Sequence, residues 1–397
     1  MKLKALLDEE LAAPRLRENP EISGITADSR AVQPGSLFAA LGGRREDGTR
    51  FVGEAIGKGA AAILVAEGSR LADVGVPVLT AAEPRRALAL LAARFYARQP
   101  DTVVAVTGTS GKTSVVEFAR QIFAAASRKP ASLGTIGLVT PQGGTYGALT
   151  TPDPVALHRC LAQLAIEGIT HVAFEASSHG LDQHRLDGVR LAAAAFTNLS
   201  RDHLDYHPDM PAYLAAKLRL FTELLPVGRT AVVNADGGYA GEVIAAARGA
   251  GRDVMTVGKA GEAVQLCAIA REGFTQRLRV RHRGERFDIA LPLLGEYQAA
   301  NALLAAGLAL AVGEPAGQVF AALGGLKGVK GRLEVVGKAR GGLIVIDYAH
   351  KPDALAAAHR VRVWLRGRSR PRQTTDHGTH RGGQGQSRAR HRRQSAH

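Results

Sequence analysis

Short apolar runs alternate with amphipathic stretches over the first hundred residues of the chain. Residues 61–66 (AAILVA) and 76–80 (VPVLT) are continuous apolar runs of strand length. Residues 83–100 instead repeat apolar side chains at helical spacing, and Pro100 is a residue that helps to end such a helix. This pattern predicts an α/β domain over residues 1–98.

A second unit opens with a strand, a glycine-rich loop and a helix at residues 101–126. Because further strands alternate with helices, we expect a mostly parallel sheet covered on both faces. Residues 265–293 mix β-branched and charged residues as antiparallel strands do, and residues 296–312 form an apolar helix. The unit therefore predicts a central α/β domain at 99–331. Its further parallel strands are predicted at 170–176, 192–199 and 230–236.

A third unit begins near residue 331, where a strand that includes GLIVIDYA leads into the start of a helix. The pattern stops after Ala358, so only 332–358 is predicted to belong to this domain. Residues 359–397 are rich in Arg, Gly, Gln, Ser and His and have almost no apolar periodicity. Such a composition buries too little apolar surface to offset chain entropy, and we expect this tail to be disordered.

Composition refines this picture through its charge and its cysteines. The chain has 397 residues and a net charge of +15, but the last 47 residues alone carry +10. No segment approaches 18 uninterrupted apolar residues, and the N-terminus does not resemble a signal peptide. The only two cysteines, Cys160 and Cys267, suggest a reducing compartment. We therefore expect a cytoplasmic protein with no membrane contact.

The basic tail also suggests a nucleic-acid-binding protein, because arginine-rich segments bind phosphates. Two observations weigh against this alternative. Trp364 is the only aromatic residue of the tail, and the remaining 350 residues carry a net charge of only +5.

A phosphate-binding loop is predicted at residues 108–114, because the sequence GTSGKTS follows an apolar strand and opens a helix. Glycines let backbone N–H groups turn toward phosphates, and the helix N-terminus adds partial positive charge. Lys112 would reach the β- and γ-phosphates, and the Thr113 hydroxyl would ligate Mg²⁺. The alternative is a glycine-rich turn with a chance lysine. The predicted nucleotide-binding residues of the loop are Gly108, Thr109, Ser110, Gly111, Lys112, Thr113 and Ser114.

Glu175 and His203 each follow a predicted strand, where ligands of doubly wound sheets bind. Mg²⁺ prefers oxygen ligands, so Glu175 is the natural metal ligand and His203 a less usual one. The alternatives are a helix-capping acid for Glu175 and a polar loop residue for His203.

These features together resemble the Mur ligase family, specifically the members that add the third peptide residue to a UDP-sugar precursor. The resemblance implies a UDP-binding α/β domain, a central ATP-binding domain and the start of a Rossmann-like C-terminal domain. The segments SSHGLDQHR and RDHLDYH separate these members from the sibling that adds D-Ala-D-Ala. The matching segments are 26–48, 105–114, 149–153, 175–188, 196–221, 295–306, 328–336 and 347–355.

The resemblance also implies roles for residues outside the phosphate loop. Lys217 matches a lysine that the family carries as a carbamate, which would help hold a second Mg²⁺; otherwise it would be a solvated helix lysine. Asn301, Arg332 and Asp347 match residues that contact adenine, phosphate and ribose. The residues implied for the uridine diphosphate end are Ser29, Arg44, Arg45 and Glu46, and those for the muramoyl-peptide are Thr150, Thr151, Ser177, Gln183 and Arg185.

The implied reaction activates a carboxylate with ATP and Mg²⁺. The carboxylate of UDP-N-acetylmuramoyl-L-alanyl-D-glutamate attacks the γ-phosphate, and the amine of meso-diaminopimelate or lysine displaces phosphate from the acyl phosphate. Lys112, His203 and Lys217 would serve catalysis by stabilising charge. The resemblance further implies a monomer in peptidoglycan synthesis.

The sequence departs from the family near its end. No Asp-Asn-Pro-Arg motif is present, Lys351 stands where the family usually has Thr, and VWLRGRSRPRQ at 363–373 resembles a family segment read in another frame. We hypothesise a frameshift near residues 358–363, which the genomic sequence of codons 350–397 tests. The alternative function is then an impaired fragment with little or no ligase activity, binding only nucleotide or UDP-muramoyl-dipeptide.

Overall fold

A computed structural model describes residues 1–7, 18–42, 47–71, 74–145, 150–339, 342–349 and 355. Three predicted substrate residues, Arg44, Arg45 and Glu46, lie outside the described residues. The same holds for the predicted tail at 359–397 and for nearly all of the helix predicted after Asp347.

The first sheet contains four parallel strands in the order β1-β2-β3-β4. Two helices accompany it, and Leu37, Leu64 and Leu91 belong to a core that the sheet shares with the second helix. That helix ends at Tyr96 rather than near Pro100, because Ala97 adopts a positive φ of 56°. The elements are β1 (Gly24–Thr26), β2 (Ser36–Ala39), α1 (Val52–Gly57), β3 (Ala62–Ala66), β4 (Val78–Ala81) and α2 (Pro84–Tyr96).

The central sheet has eleven strands, and the predicted mostly parallel arrangement is confirmed. Its order is β15-β14-β13-β12-β11-β10-β5-β9-β6-β7-β8, and the strands from β13 to β6 run parallel. The strands are β5 (Thr102–Thr107), β6 (Pro130–Gly134), β7 (Gly137–Thr140), β8 (Gly143–Thr145), β9 (His171–Glu175), β10 (Leu191–Phe196), β11 (Thr230–Asn234), β12 (Asp253–Gly258), β13 (Val264–Glu272), β14 (Thr275–His282) and β15 (Glu285–Leu291).

Helices pack on both faces of this sheet. Val104 and Val106 of β5 belong to one core, while Val103 and Ala105 belong to the other. Successive side chains of a strand point to opposite faces, so a strand buried on both faces is a continuous apolar run. The helices are α3 (Lys112–Ala125), α4 (Pro154–Ile166), α5 (Ser178–Asp182), α6 (Met210–Arg219), α7 (Ala240–Gly249), α8 (Glu296–Ala311) and α9 (Ala316–Leu323), and a π-helical turn (Leu220–Leu224) continues α6.

The antiparallel prediction for residues 265–293 is confirmed, since β14 pairs antiparallel with both β13 and β15.

Within the described residues, no helix is long and apolar enough to cross a bilayer.

The last described strands, β16 (Glu334–Ala339) and β17 (Gly342–Ile346), form an antiparallel pair. The prediction of a strand over GLIVIDYA is correct. This strand, β17, pairs with the preceding strand, β16. This pair exposes Val335, Val336, Ile344 and Ile346 and is anchored through a small apolar cluster around Leu294 and Leu333. The division of the chain at residues 98, 331 and 358 stays a prediction.

Candidate functional site

The loop between β5 and α3 has the conformation of an anion-binding turn. Gly108 and Gly111 have φ values of +139° and +90°. Among the described residues no side chain caps the N-terminus of α3. Its first backbone N–H groups are therefore available to a ligand at the loop. A helix that begins in this way favours a phosphate group.

The two glycines are required by close neighbours. A Cβ on Gly108 would lie 1.9 Å from the Thr197 Oγ1 atom, and one on Gly111 would lie 2.5 Å from Asn301 Oδ1. The Thr197 hydroxyl donates to the Ser110 carbonyl at 2.7 Å, and the Thr109 N–H donates to the Asn198 carbonyl at 2.8 Å. The residues that follow β10 therefore hold the loop through hydrogen bonds and leave no room for a side chain at Gly108.

Two lysines donate to the same loop carbonyl. Lys112 Nζ lies 2.8 Å from the Gly108 oxygen, and Lys217 Nζ lies 3.0 Å from it. Lys217 is buried and its Nζ lies 4.4 Å from the centre of the Tyr213 ring, so the alternative of a solvated helix lysine is wrong. Burial raises the pKa of Tyr213, on which the Lys217 side chain packs, to about 12.

A cavity of ≈ 1070 Å³ opens in front of the loop and joins residues from distant parts of the chain. Four predicted site residues that the structure describes lie outside the lining of this cavity: Ser29, Gly108, Gln183 and Lys217. The predicted residues in its lining are Thr109, Ser110, Gly111, Lys112, Thr113, Ser114, Thr150, Thr151, Glu175, Ser177, Arg185, His203, Asn301, Arg332 and Asp347.

Glu175 is the buried carboxylate of this cavity. Its oxygens accept from the Thr135 N–H at 2.7 Å and from the Thr135 hydroxyl at 3.2 Å. Within the described chain no three His, Cys, Asp or Glu side chains are grouped as for a metal ion. Nonetheless, the Glu175 carboxylate and the Thr113 hydroxyl line the same cavity, and both are oxygen donors of the kind that fits Mg²⁺.

His203 lies at the open side of the cavity with a positive φ of 53°. Its Nε2 atom is 3.1 Å from an Asp202 carboxylate oxygen, and its ring centre is 5.0 Å from that of His179. His179 packs in turn on Tyr206, with ring centres 3.9 Å apart. The His203 ring is thus oriented by a carboxylate and by the His179 ring, which Tyr206 supports in turn.

The opposite wall comes from α8 and from the segment around β16 and β17. Arg332 Nη2 lies 3.3 Å from the Thr113 hydroxyl, and its guanidinium lies 4.9 Å from the Tyr348 ring centre. Asp347 accepts from the Leu333 and Ala349 N–H groups, each at 2.8 Å. Burial, reinforced by the Asp347 charge, raises the pKa of Tyr297 far above its usual range. Asp347 thus fixes the backbone that carries Arg332.

A hydrogen-bonded set forms the side of the cavity next to α5. The Thr151 hydroxyl donates to the Glu175 carbonyl at 2.8 Å and contacts the Ser177 hydroxyl at 3.0 Å. Arg185 donates to the Thr151 carbonyl at 2.8 Å and to Gln183 Oε1 at 2.7 Å, and burial lowers the pKa of its guanidinium. These hydroxyls and this guanidinium suit a ligand with carboxylate groups.

A second cavity of ≈ 680 Å³ lies between the first sheet and the N-terminus of α4. Gln183 lines it, and Arg185 lines both cavities. Ser29 stands beside it: its neighbours Asp28 and Ala31 are in the lining, while its own carbonyl accepts from Lys58 Nζ at 3.0 Å.

Several lining residues were missed by sequence reasoning, among them Thr135, His179, Asn198 and Tyr297. His179 lies within SSHGLDQHR, so the resemblance offered a signal for it. Asn198 likewise lies within the matching segment 196–221, whereas Thr135 is a single polar residue in a loop that no periodicity or spacing distinguishes.

Comparisons with known proteins agree with this geometry. Residues 106–309 match the Mur ligase middle domain, and residues 21–96 match the Mur ligase family catalytic domain. A relative from Bradyrhizobium diazoefficiens, named UDP-N-acetylmuramoyl-L-alanyl-D-glutamate--2,6-diaminopimelate ligase, is 54% identical over 363 residues, which are 90% of this chain and 74% of the relative. A relative of the same name from Caulobacter vibrioides is 50% identical over 85% of this chain and 71% of its own length.

Solved structures give the same result. A UDP-N-acetylmuramoyl-L-alanyl-D-glutamate--2,6-diaminopimelate ligase superposes with a TM-score of 0.78 at 28% identity, over 91% of this chain and 74% of its own. MurF from Acinetobacter baumannii superposes with a TM-score of 0.62 at 25% identity, over 87% of this chain and 71% of its own.

Proposed function

Because this chain belongs to the Mur ligase family, we propose that it is an ATP-dependent ligase of peptidoglycan precursor synthesis. Its substrate is UDP-N-acetylmuramoyl-L-alanyl-D-glutamate, and the added amino acid is meso-diaminopimelate, with lysine as the alternative. We also propose that it works in the cytoplasm, where nucleotide-linked substrates such as those in its relatives' names are found, and that it is a monomer.

One observation carries this proposal. The phosphate loop, the hydroxyl and guanidinium groups next to α5, and the Arg332–Asp347 wall all border a single cavity. A reaction between the γ-phosphate of ATP and a substrate carboxylate needs these two ligands side by side. The proximity of an anion-binding loop and a carboxylate-binding wall supports a ligase over a simple nucleotide binder.

The roles proposed for individual residues follow from their positions. The loop N–H groups and Lys112 bind the phosphates, Arg332 orients them from the opposite wall, and Asp347 holds that wall. Lys112 stabilises the negative charge that develops on the transferred phosphoryl group. The proposed nucleotide contacts are residues 108–114, Asn301, Arg332 and Asp347.

On the other side, the substrate contacts position the reacting carboxylate. Thr151, Ser177 and Arg185 form the hydrogen-bonded surface on which the peptide end would lie. Gln183 and Arg185 continue that surface into the second cavity, where the UDP end would lie with Ser29 at its edge. The remaining proposed contacts are Thr150, Arg44, Arg45 and Glu46.

Magnesium, when bound, supplies positive charge that offsets the charge of the phosphates. Thr113 and Glu175 would hold it through oxygen atoms, and His203 and a carbamylated Lys217 would complete the set. Asp202 lies 3.1 Å from His203 Nε2 and would orient its ring toward the transferring phosphoryl group.

The proposal predicts ADP release that requires every substrate. Purified protein with ATP and Mg²⁺ should release ADP only when the UDP-linked dipeptide and meso-diaminopimelate are both present, because the acyl phosphate turns over only when an amine displaces phosphate. Coupled spectrophotometric detection of ADP measures this. UDP-N-acetylmuramoyl-L-alanine, which lacks the glutamate, is the matched control substrate, and L-lysine tests the alternative amino acid. Binding of the dipeptide and ADP without any turnover would leave only the binding-fragment alternative.

Carbamylation of Lys217 is a separate prediction. In bicarbonate enriched with ¹³C, the protein should show a carbamate carbon signal by NMR, because the labelled carbon would be bound to Lys217 Nζ. The carbamate oxygens would be hard ligands near the loop. Lys217→Arg should remove the signal, whereas Lys112→Arg should keep it. A wild-type spectrum without the signal would show that Lys217 acts as an amine, as its hydrogen bond to the Gly108 carbonyl permits.

A further inference from the structure

Asp187 carries a buried carboxylate that lies outside both cavities and joins three parts of the fold. Its side chain is 4% exposed. It contacts Arg86 of α2 at 3.4 Å, His184 of its own loop at 3.3 Å, and Arg219 of α6 at 3.3 and 3.4 Å. One carboxylate thus links the first sheet domain, the loop after α5 and the helix that carries Lys217.

The backbone around Asp187 is fixed as well. The Asp187 carbonyl accepts from His158 Nε2 of α4 at 2.9 Å, and the Gly188 carbonyl accepts from Gln99 Nε2 at 2.8 Å. Gly188 has a φ of +85°, and a Cβ there would lie 2.5 Å from the Ala93 Cβ atom of α2. The loop is therefore pressed directly against α2 and α4.

This loop is short, and its other end carries substrate contacts of the proposed function. Gln183 and Arg185 precede Asp187 by four and two residues, and Arg185 lines both cavities. Arg219 binds the loop through the Asp187 carboxylate and binds α5 through the Leu181 carbonyl. Asp187 thus fixes the end of the short segment whose other residues include Gln183 and Arg185.

We propose that Asp187 is a positioning residue for the UDP-linked peptide substrate. Its charge holds the Gln183–Arg185 segment in register with α6 and α2, so that Arg185 serves both cavities at once. This inference rests on the proposed function. Two guanidinium groups share this buried carboxylate. Removing the carboxylate would leave their charges poorly compensated, so the position of the segment depends on it.

Asp187→Asn tests this role, because it keeps the shape and removes the charge. We expect the dissociation constant for UDP-N-acetylmuramoyl-L-alanyl-D-glutamate, measured by calorimetry, to rise about tenfold or more. The dissociation constant for ADP should change less than about twofold, since residues 108–114 do not touch the cluster. A role in stability alone would lower the melting temperature without separating the two affinities. Asp187→Glu, which restores the charge, should recover part of the substrate affinity.

Glu223→Gln is the matched control. Glu223 is the other carboxylate partner of Arg219, at 2.7 Å, but its side chain is 54% exposed, so this variant should bind both ligands normally. If Asp187→Asn does not fold, Arg86→Gln removes only the partner on α2 and should still weaken substrate binding severalfold. Unchanged substrate affinity in the folded Asp187 or Arg86 variant, or equal loss of both affinities, would overturn the inference. Wild-type protein that binds no UDP-linked dipeptide would overturn the proposed function and the inference together.

Discussion

Substitution of Gly108 by alanine is expected to weaken nucleotide binding by roughly a hundredfold. The new Cβ would lie 1.9 Å from Thr197 Oγ1 and 2.9 Å from the Asn198 carbonyl oxygen, and the second of these neighbours is backbone. Relief of this overlap would move the loop away from β10 and break the bonds that hold Ser110 and Thr109. A displacement of about 1 Å at a phosphate site lowers function by roughly a hundredfold. Calorimetric titration with ADP measures the loss.

Gly143→Ala is the control for Gly108→Ala. Gly143 has nearly the same φ, +138°, but a Cβ there meets no atom of the described residues within 4 Å. Both variants therefore suffer the backbone strain of a non-glycine residue in this region, on the order of 1–3 kcal/mol in the free energy of unfolding. Only the Gly108 variant should lose ADP affinity. Equal ADP binding by the two variants would contradict a close-packed phosphate loop.

Substitution of Lys112 by methionine is expected to reduce ADP release by about a hundredfold to a thousandfold, which is the usual effect of removing one charge-stabilising donor. Methionine keeps the length and most of the packing of the lysine stem. Because Lys112 Nζ donates to the Gly108 and Thr109 carbonyls in the unliganded loop, a small loss of stability should accompany the kinetic loss. The rate of ADP release at saturating ATP measures the effect.

Lys327→Met serves as the comparison for Lys112→Met. Lys327 is an exposed lysine outside both cavities, and its backbone N–H, which the substitution retains, bonds Gln121. Its ADP release should equal that of the wild type. A Lys112→Met protein with normal kcat and a raised KM alone would show that Lys112 binds ATP equally in the ground and transition states.

The phosphate loop and the central strands were predictable because their signals are local. The strand before Gly108 is a continuous apolar run, as a strand buried on both faces requires, and the residues that need special backbone angles are adjacent to it in sequence. The antiparallel strands at 265–293 were predictable for a similar reason, since exposed arginines alternate with buried residues along β14.

The rest of the site depends on contacts between distant residues. Arg332 lies 219 positions from the Thr113 hydroxyl that it contacts, and no local pattern indicates that pairing. Only the family resemblance suggested Arg332. Burial was equally hidden, because Lys217 stands on a helix whose pattern does not distinguish it from a solvated lysine. Asp187 lies within the matching segment 175–188, but no local pattern indicates its burial, since a single acid in a loop is ordinarily exposed.

The weak attachment of the β16–β17 pair has a consequence for how long the chain survives in a cell. Val335, Val336, Ile344 and Ile346 are about half exposed, and among the side chains that the structure describes here Val345 packs against the small Leu294–Leu333 cluster. Arg332 and Asp347, which border this pair, also border the nucleotide cavity. A ligand that binds only when this strand pair is packed on the Leu294–Leu333 cluster stabilises that packing. The stabilisation grows with the logarithm of the ligand concentration. Proteolysis of such a segment follows the population of its open form. Bound nucleotide would therefore slow proteolysis at this strand pair, so the lifetime of the protein would depend on how fully its nucleotide site is occupied.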